Sequence, residues 1–183
     1  MATAKRGAPP AREVELRARR IRIVACDLDG VLTDGRILRD ARGRELRAFH
    51  VDDGIGAALL TRAGIRLLLL SAGPVAHGRK LGADTITTTA GQGLVAVDRW
   101  CRRRRLPLAA VAYVGRDVLE LPLLAAVGLS VAVANASPEV KRRAHWVTRA
   151  SGGTGVLREV VERVLRSQGR WGSTLGETWR QWD

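Results

Sequence analysis

Two aspartates separated by one residue lie in the segment CDLDGVLTDG, which spans residues 26–35. A carboxylate is ionised at neutral pH, so it can attack an electrophilic centre, and a second carboxylate beside it can move a proton. The same Asp-x-Asp spacing is also common in turns and helix caps. Asp27 and Asp29 therefore indicate a catalytic site only if the fold brings other polar groups to them.

The elements that must position this pair follow from the hydrophobic pattern, in which short apolar runs alternate with helical spacing. Strands are predicted at 21–26, 65–70, 84–89, 111–114, 129–134 and 145–148, and helices at 55–63, 75–81, 94–105, 118–127, from 137 and at 156–165. Residues 36–38 and 45–49 flank a turn at Gly43 and predict a hairpin. The alternation predicts an α/β fold with a mainly parallel sheet covered by helices on both faces.

Polar residues recur where the predicted strands end. Asp27 and Asp29 follow the first strand, Ser71 ends the IRLLLL strand, and Asp117 follows the AYVG strand. In parallel sheets ligands bind beyond the carboxyl ends of the strands. The sequence therefore predicts that these three strand ends converge on one site.

Composition and charge indicate which binding partners and which compartment to expect. The net charge of +13 comes mostly from scattered arginines, and the densest run, at 102–105, ends a predicted helix, where basic residues are favoured. No nucleic-acid-binding motif accompanies the charge, so we expect an anionic small molecule as partner and no nucleic acid. No apolar stretch is long enough for a membrane span, and Cys26 and Cys101 lack metal-binding spacing. We expect a cytoplasmic protein that does not bind membranes.

The chain length predicts one domain with terminal extensions. We expect residues 1–20 to form a basic tail or a short amphipathic helix and residues 21–168 to form the folded domain. Residues 169–183 should form a tail whose tryptophans contact a partner surface, with a neighbouring subunit as the first candidate.

The segments DLDGVLTDGRI, FHVDDGIG and AYVGRDVLELPLL, in this order, resemble the capless haloacid dehalogenase-like (HAD) phosphatases. The resemblance is to the 3-deoxy-D-manno-octulosonate 8-phosphate (KDO 8-phosphate) phosphatase group and covers about residues 21–169. It implies a Rossmann-like HAD fold without a cap domain but with a β-hairpin insertion. It also implies hydrolysis of a phosphomonoester through an aspartyl-phosphate.

The resemblance implies roles for individual residues. Asp27 matches the nucleophile and Asp29 the general acid and base, and both would also ligate Mg²⁺, Asp29 through its main-chain carbonyl. Asp117 is the remaining candidate for a metal ligand. The residues implied to contact or support the substrate are Gly30, Thr33, Asp53, Ser71 and Arg116.

The sequence departs from the family pattern at three places. Arg116 replaces an aspartate that is a metal ligand in the family, and Gly93 stands where the family has a lysine. The third departure is Ser71-Ala72-Gly73, where the family has serine-glycine-arginine. A guanidinium cannot ligate Mg²⁺. We therefore predict that Arg116 pairs with Asp27 or Asp29 and that Mg²⁺ binds weakly or not at all.

Three functions remain open at this point. The first is a phosphatase acting on a sugar-acid phosphate, and the second is a metal-independent acid–base enzyme that uses Asp27 and Asp29. The third is a catalytically silent domain for assembly or regulation. The resemblance also implies a homo-oligomer, most simply a tetramer, and the hairpin residues Ile37, Leu38, Leu46 and Phe49 predict the apolar surface that would form it.

Overall fold

The computed structural model describes residues 11–73, 76–89 and 91–179. The strands are β1 (Ile23–Asp27), β2 (Leu38–Arg39), β3 (Glu45–Leu46), β4 (Arg66–Ser71), β5 (Asp84–Thr87), β6 (Val111–Gly115), β7 (Leu129–Ala132) and β8 (Trp146–Val147). The helices are α1 (Ala11–Ala18), α2 (Val51–Arg62), α3 (Ala76–Lys80), α4 (Gly93–Arg103), α5 (Leu121–Ala126), α6 (Pro138–Arg143), α7 (Val156–Ser167) and α8 (Trp171–Trp179).

Six strands form one parallel sheet in the order β5-β4-β1-β6-β7-β8. Residues 23–26 of β1 are completely buried, as expected of a central strand with helices on both faces. The predicted α/β fold with a parallel sheet is therefore confirmed. The strand order reverses at β1, where the chain goes first to β4 on one side and later to β6 on the other, and this is the place where such sheets bind ligands.

The helices form two groups. Helices α1, α2, α7 and α8 contact one another, and α5 contacts both α4 and α6. The apolar residues at 156, 160, 161, 164 and 165 of α7 are buried, which confirms the predicted face of this helix. The burial of such apolar helix faces against the sheet is the main favourable contribution to the free energy of folding.

Several predicted boundaries were wrong for local reasons. Helix α2 begins at Val51 rather than at residue 55, because the His50 ring caps it by accepting the N–H of Asp52. The predicted helix at 118–127 is a short 3₁₀ turn at 118–120 followed by α5. Pro122 lies in the first turn of α5, where its missing N–H leaves no helical hydrogen bond unmade.

Both terminal segments contain packed helices. In α1, Val14 and Ala18 are buried, so the amphipathic-helix alternative holds for residues 11–18. Trp171 in α8 packs against the core and lies under the guanidinium groups of Arg158 and Arg166. Residues 1–10 and Trp182 lie outside the described residues, and so does the side chain of Trp179.

Strands β2 and β3 form an antiparallel hairpin that pairs Leu38 with Leu46. Residues 28–70 hold only a loop, this hairpin, α2 and the start of β4, so the described chain has no cap domain between β1 and β4. Among the described residues, no helix combines the length and the hydropathy needed to cross a membrane.

Candidate active site

Three neighbouring strands bring their carboxyl ends together at the candidate site. Asp27 at the end of β1 is in register with Leu70, and Ser71 follows in β4. On the other side of β1, Cys26 is in register with Val114, and Gly115 and Arg116 follow. The predicted convergence of Asp27 with the ends of β4 and β6 is therefore found in the sheet.

The loop after β1 is held by main-chain geometry and one buried hydroxyl. Gly30 has φ +92°, a conformation that L side chains rarely adopt. The Thr33 Oγ1 atom accepts the N–H groups of Gly30 and Gly35 at 3.1 and 3.2 Å. Because Thr33 is buried and the Gly30 N–H is used in this way, these two residues shape the loop rather than contact a substrate, in contrast to the sequence-based prediction.

A second loop, which contains Gly152 and Gly153, packs through its backbone against the loop after β1, which we call the site loop. The N–H of Gly153 donates to the carbonyl of Val31 at 2.9 Å, and the N–H of Gly152 donates to Asn135 Oδ1 at 2.9 Å. A Cβ atom on Gly152 would collide with the carbonyl oxygen of Gly30. Only glycine fits at this contact, so the backbone of the second loop holds the site loop in place.

The Asp27 carboxyl lies in a half-buried position beside other acids. Burial raises the pKa of Asp27 to about 7, and the charges of Glu120 and Asp29 act in the same direction. The N–H of Leu28 and the positive charge of Arg116 lower this pKa, but by less. An additional positive charge near Asp27 would favour the ionised carboxylate, which is the nucleophilic form.

Asp29 forms an ion pair with a residue that the sequence analysis did not identify. Arg47, which follows β3, directs Nε to Asp29 Oδ1 at 2.8 Å and Nη2 to Asp29 Oδ2 at 3.4 Å. Asp29 in turn raises the pKa of Arg47. No motif points to Arg47, since its position depends on how the hairpin folds over the sheet.

Arg116 occupies a different place from the one predicted. Its side chain lies across two glycines of the site loop: a Cβ atom on Gly30 would collide with it, and one on Gly35 would lie 2.6 Å from its Nη1. Among the ion pairs of the described residues, Arg116 has none with Asp27 or Asp29. The predicted pairing was therefore wrong, because Arg47 holds Asp29 and the two glycines leave room for the Arg116 side chain beside them.

The acids that follow β6 are used within their own turn. The two oxygens of Glu120 accept the hydroxyl of Tyr113 and the N–H groups of Arg116 and Asp117. The Asp117 carboxylate caps the 3₁₀ turn by accepting the N–H of Leu119 at 3.3 Å. Both carboxylates thus stabilise the turn that carries Arg116.

This arrangement does not fit a magnesium ion. Mg²⁺ requires about six oxygen ligands in octahedral geometry, but here Arg116 replaces one acid and Asp117 is engaged as a cap. Across residues 11–73, 76–89 and 91–179, no three His, Cys, Asp or Glu side chains are grouped so that they could hold a metal. The side chains of Asp27, Asp29 and Asp117 are therefore not grouped as a metal-binding cluster.

Ser71 is buried at the tip of β4, where its Oγ atom accepts the N–H of Gly73 at 3.3 Å. Its own O–H remains available to donate to an anion above the strand end. Gly93 is the first residue of α4, and a Cβ atom there would meet Leu70 and Leu123 at an ordinary 3.4 Å. The backbone therefore accepts a side chain at the position where the family has a lysine.

Asp53 binds a helix rather than a substrate. Only 2% of the residue is exposed, and its Oδ1 accepts the N–H groups of Leu157 at 2.8 Å and Arg158 at 3.4 Å. Its Oδ2 is buried without a hydrogen-bond partner. The predicted substrate contact does not fit this position, because the carboxyl group caps the first turn of α7.

Asp53 should make the stability depend on pH. Burial raises its pKa to about 6, so the stabilisation from its neutral form is complete below about pH 4 and is lost as pH rises through 6. Asp53→Asn keeps Oδ1 but cannot ionise. Relative to this variant, the wild-type free energy of unfolding should fall by up to about 3 kcal/mol between pH 4 and 7.5.

Urea unfolding at a series of pH values measures this difference. Asp98→Asn is the control, since Asp98 is an aspartate on α4 whose partner is the exposed Arg102, and it should follow the wild-type curve. Parallel curves for the wild type and Asp53→Asn would contradict the prediction.

The sheet order, the Asp-x-Asp at the end of the central strand and the following loop are features shared with known hydrolases. Residues 86–160 match the sequence profile of the haloacid dehalogenase-like hydrolases. A KDO 8-phosphate phosphatase from Yersinia pestis is 40% identical over 165 residues, which cover 87% of this chain and 88% of the relative. The chain belongs to the KDO 8-phosphate phosphatase family of HAD-like hydrolases.

Solved structures agree with this assignment. The KDO 8-phosphate phosphatase from Moraxella catarrhalis, solved with magnesium, phosphate and KDO, superposes with a TM-score of 0.87 at 28% identity. It covers 92% of this chain and 99% of its own. The cobalt-bound phosphatase from Haemophilus influenzae superposes with a TM-score of 0.78 at 32% identity. The superposition covers 85% of this chain and 93% of that enzyme. Divalent metals thus occur in solved structures of this family.

Proposed function

We propose that this protein is a phosphatase that hydrolyses a phosphorylated sugar acid through an aspartyl-phosphate on Asp27, with arginine charge in place of a bound metal ion. The observation that carries the proposal is the position of Asp27 at the end of the central strand, between Ser71 and Arg116. Phosphoryl transfer depends mainly on positioning and on positive charge near the phosphoryl oxygens.

The proposed reaction has two steps. A carboxylate oxygen of Asp27 attacks phosphorus, the bond between phosphorus and the ester oxygen breaks, and Asp29 gives a proton to the leaving alkoxide. Water then attacks the aspartyl-phosphate and passes a proton to Asp29, and the bond to Asp27 breaks to release inorganic phosphate. Ser71 donates its hydroxyl to a phosphoryl oxygen in both steps.

Arg116 supplies positive charge for this reaction, while Arg47 holds the acid–base residue. Arg116 lies along the site loop, and its charge acts on Asp27, while Arg47 lies beside Asp29. A phosphate group that enters between the strand ends would meet the Arg116 guanidinium, a group that binds phosphate well. The named substrate of the relatives carries a carboxylate as well as a phosphate, and the same chemical class suits a site with two cations.

The direct test is the release of inorganic phosphate from KDO 8-phosphate by the protein in EDTA. Acid-quenched samples should contain protein with the added mass of one phosphoryl group on the peptide that includes Asp27. Absence of phosphate release, with and without added Mg²⁺, would contradict the proposal and favour the silent or the acid–base alternatives.

The hairpin supports a further part of the proposal, namely that the protein is a homo-oligomer with tetramer as the expected state. Ile37, Leu38 and Leu46 are each more than half exposed, which is unusual for neighbouring large apolar side chains. Phe49 differs from them, because its ring stacks on His77 of the same chain at 3.8 Å. The apolar hairpin surface is therefore defined by Ile37, Leu38 and Leu46.

Leu46→Asp should dissociate the oligomer, since it places a charge in the middle of this apolar hairpin surface. Light scattering at micromolar concentration should give a multiple of 19.8 kDa for the wild type and 19.8 kDa for the variant. Val95→Asp, at an exposed position on α4, is the matched control and should leave the mass unchanged. A monomeric wild type would contradict the prediction.

A further inference from the structure

We propose that Arg47 selects substrates that carry a carboxylate: it holds Asp29 in the free protein and transfers to the carboxylate of the entering phosphomonoester, which frees Asp29 to take up a proton from water and give it to the leaving group. This inference rests on the proposed function for its substrates. It assigns to the hairpin a specificity-determining residue that acts on the acid–base group.

The geometry of the pair supports the first half of the proposal. The Nε and Nη2 atoms of Arg47 face the two oxygens of Asp29 at 2.8 and 3.4 Å. Both oxygens of the Asp29 carboxylate are engaged by the same cation. In the free protein Asp29 is therefore poorly placed to donate a proton to a leaving group.

The pair is also easy to exchange. The Arg47 side chain is 26% exposed and that of Asp29 37%, and ion pairs open to water contribute little to stability. Glu45 lies 3.7 Å from the Arg47 Nη2 atom, so this guanidinium already lies near a second carboxylate. A substrate carboxylate that reaches the same place would replace Asp29 without leaving the cation unpaired.

The backbone of this segment is anchored while the guanidinium can move. Two residues beyond Arg47, the Phe49 ring stacks on His77 with an interplanar angle of 14°, and His50 then caps α2. The segment 47–50 thus lies between the site loop and α3 and ends in a fixed helix. A change of partner by Arg47 requires only rotation of its side chain.

The chemical consequence is discrimination between two kinds of phosphate ester. An ester with a carboxylate pairs with Arg47 and frees Asp29, whereas a neutral ester leaves the Arg47–Asp29 pair intact. The neutral ester therefore lacks one charge-assisted contact, and it also meets Asp29 while that residue is still paired with Arg47. A single contact of this type corresponds to roughly a tenfold to hundredfold difference in kcat/KM.

A matched pair of substrates tests this inference. The C1 group is a carboxylate in 6-phosphogluconate and a hydroxymethyl group in glucitol 6-phosphate, and the two molecules are otherwise alike. We expect the wild type to favour 6-phosphogluconate at least tenfold in kcat/KM. In Arg47→Gln the preference should disappear, with a lower kcat/KM for the acid and an unchanged or higher kcat for the neutral ester.

The response of the neutral ester separates selection from a purely structural role, which would lower both rates together. Arg47→Lys should retain part of the preference, because it keeps the charge but not the two-point geometry. Arg44→Gln is the control in the same hairpin, since Arg44 pairs with Asp40 at 2.7 Å, and it should behave as the wild type. Equal losses on both substrates in Arg47→Gln, or no preference in the wild type, would overturn the inference.

The inference can also be separated from the proposed function. If the wild type hydrolyses neither substrate, calorimetry on the same two compounds gives the answer. Tighter binding of 6-phosphogluconate that is lost in Arg47→Gln but kept in Arg44→Gln would support the role of Arg47 while phosphatase activity failed. Equal binding of the two compounds by the wild type would overturn it.

Discussion

Replacing Asp27 with asparagine should lower phosphomonoester hydrolysis by about 10³-fold or more. An amide is a far poorer nucleophile than a carboxylate and cannot form the mixed anhydride. The substitution is nearly isosteric, and the residue lies at the end of a strand whose preceding residues are fully buried, so the fold should persist. The measurement is the initial rate of phosphate release from KDO 8-phosphate, together with the loss of the phosphorylated Asp27 peptide.

Asp98→Asn again serves as the control, because it makes the same chemical change on the surface of α4, in an ion pair with Arg102. Its rate should equal that of the wild type. An Asp27→Asn variant that retained wild-type activity would show that another group, or another protein in the preparation, performs the hydrolysis.

The second large effect is a gain of function. The double substitution Arg116→Asp, Gly93→Lys should make the activity dependent on Mg²⁺ and raise it by about 10²- to 10³-fold in the presence of the ion. Arg116→Asp introduces an oxygen ligand and removes a cation whose charge acts on Asp27. Lysine at position 93 adds a positive charge, and the 3.4 Å contacts expected of its Cβ atom leave room for it.

Activity and calorimetric binding of Mg²⁺ should be measured side by side for the wild type, both single variants and the double variant. Arg149→Asp is the charge-matched control, since the Arg149 side chain is almost entirely exposed. We expect no Mg²⁺ stimulation in the wild type or in this control. Micromolar affinity of the wild type for Mg²⁺ would contradict the proposal that arginine charge replaces the metal.

The fold and the position of Asp27, the proposed nucleophile, could be predicted from local sequence. The apolar run before Asp27 and the IRLLLL run before Ser71 are continuous, as in strands buried on both faces, and strand ends in a parallel sheet meet at one edge. For the same reason the hydrophobic face of α7 was correctly predicted. Helix boundaries such as the start of α2 were less predictable, because a histidine cap carries no strong sequence signal.

The partners of the charged residues could not be predicted from the sequence. Charge alone suggested that Arg116 would pair with Asp27 or Asp29, but the pairing depends on where the hairpin places Arg47. Similarly, Asp53 and Thr33 occur in family motifs that suggest substrate contact. Both are buried, however, and Asp53 caps the first turn of α7 while Thr33 holds the loop after β1. Motifs give the residue types near a site, and tertiary packing decides which of them face the ligand.

The backbone contact between Gly152 and the carbonyl of Gly30 has a consequence for the redesign of this site. The hydroxyl of Thr33 and the main-chain contacts of Gly152 and Gly153 hold the site loop, and none of these contacts uses the side chains at positions 93 and 116. Substitutions at positions 93 and 116 can therefore change the charge of the site while the loop keeps its shape. The same property makes this chain a suitable scaffold for redesign, in which new chemistry is built on an unchanged backbone.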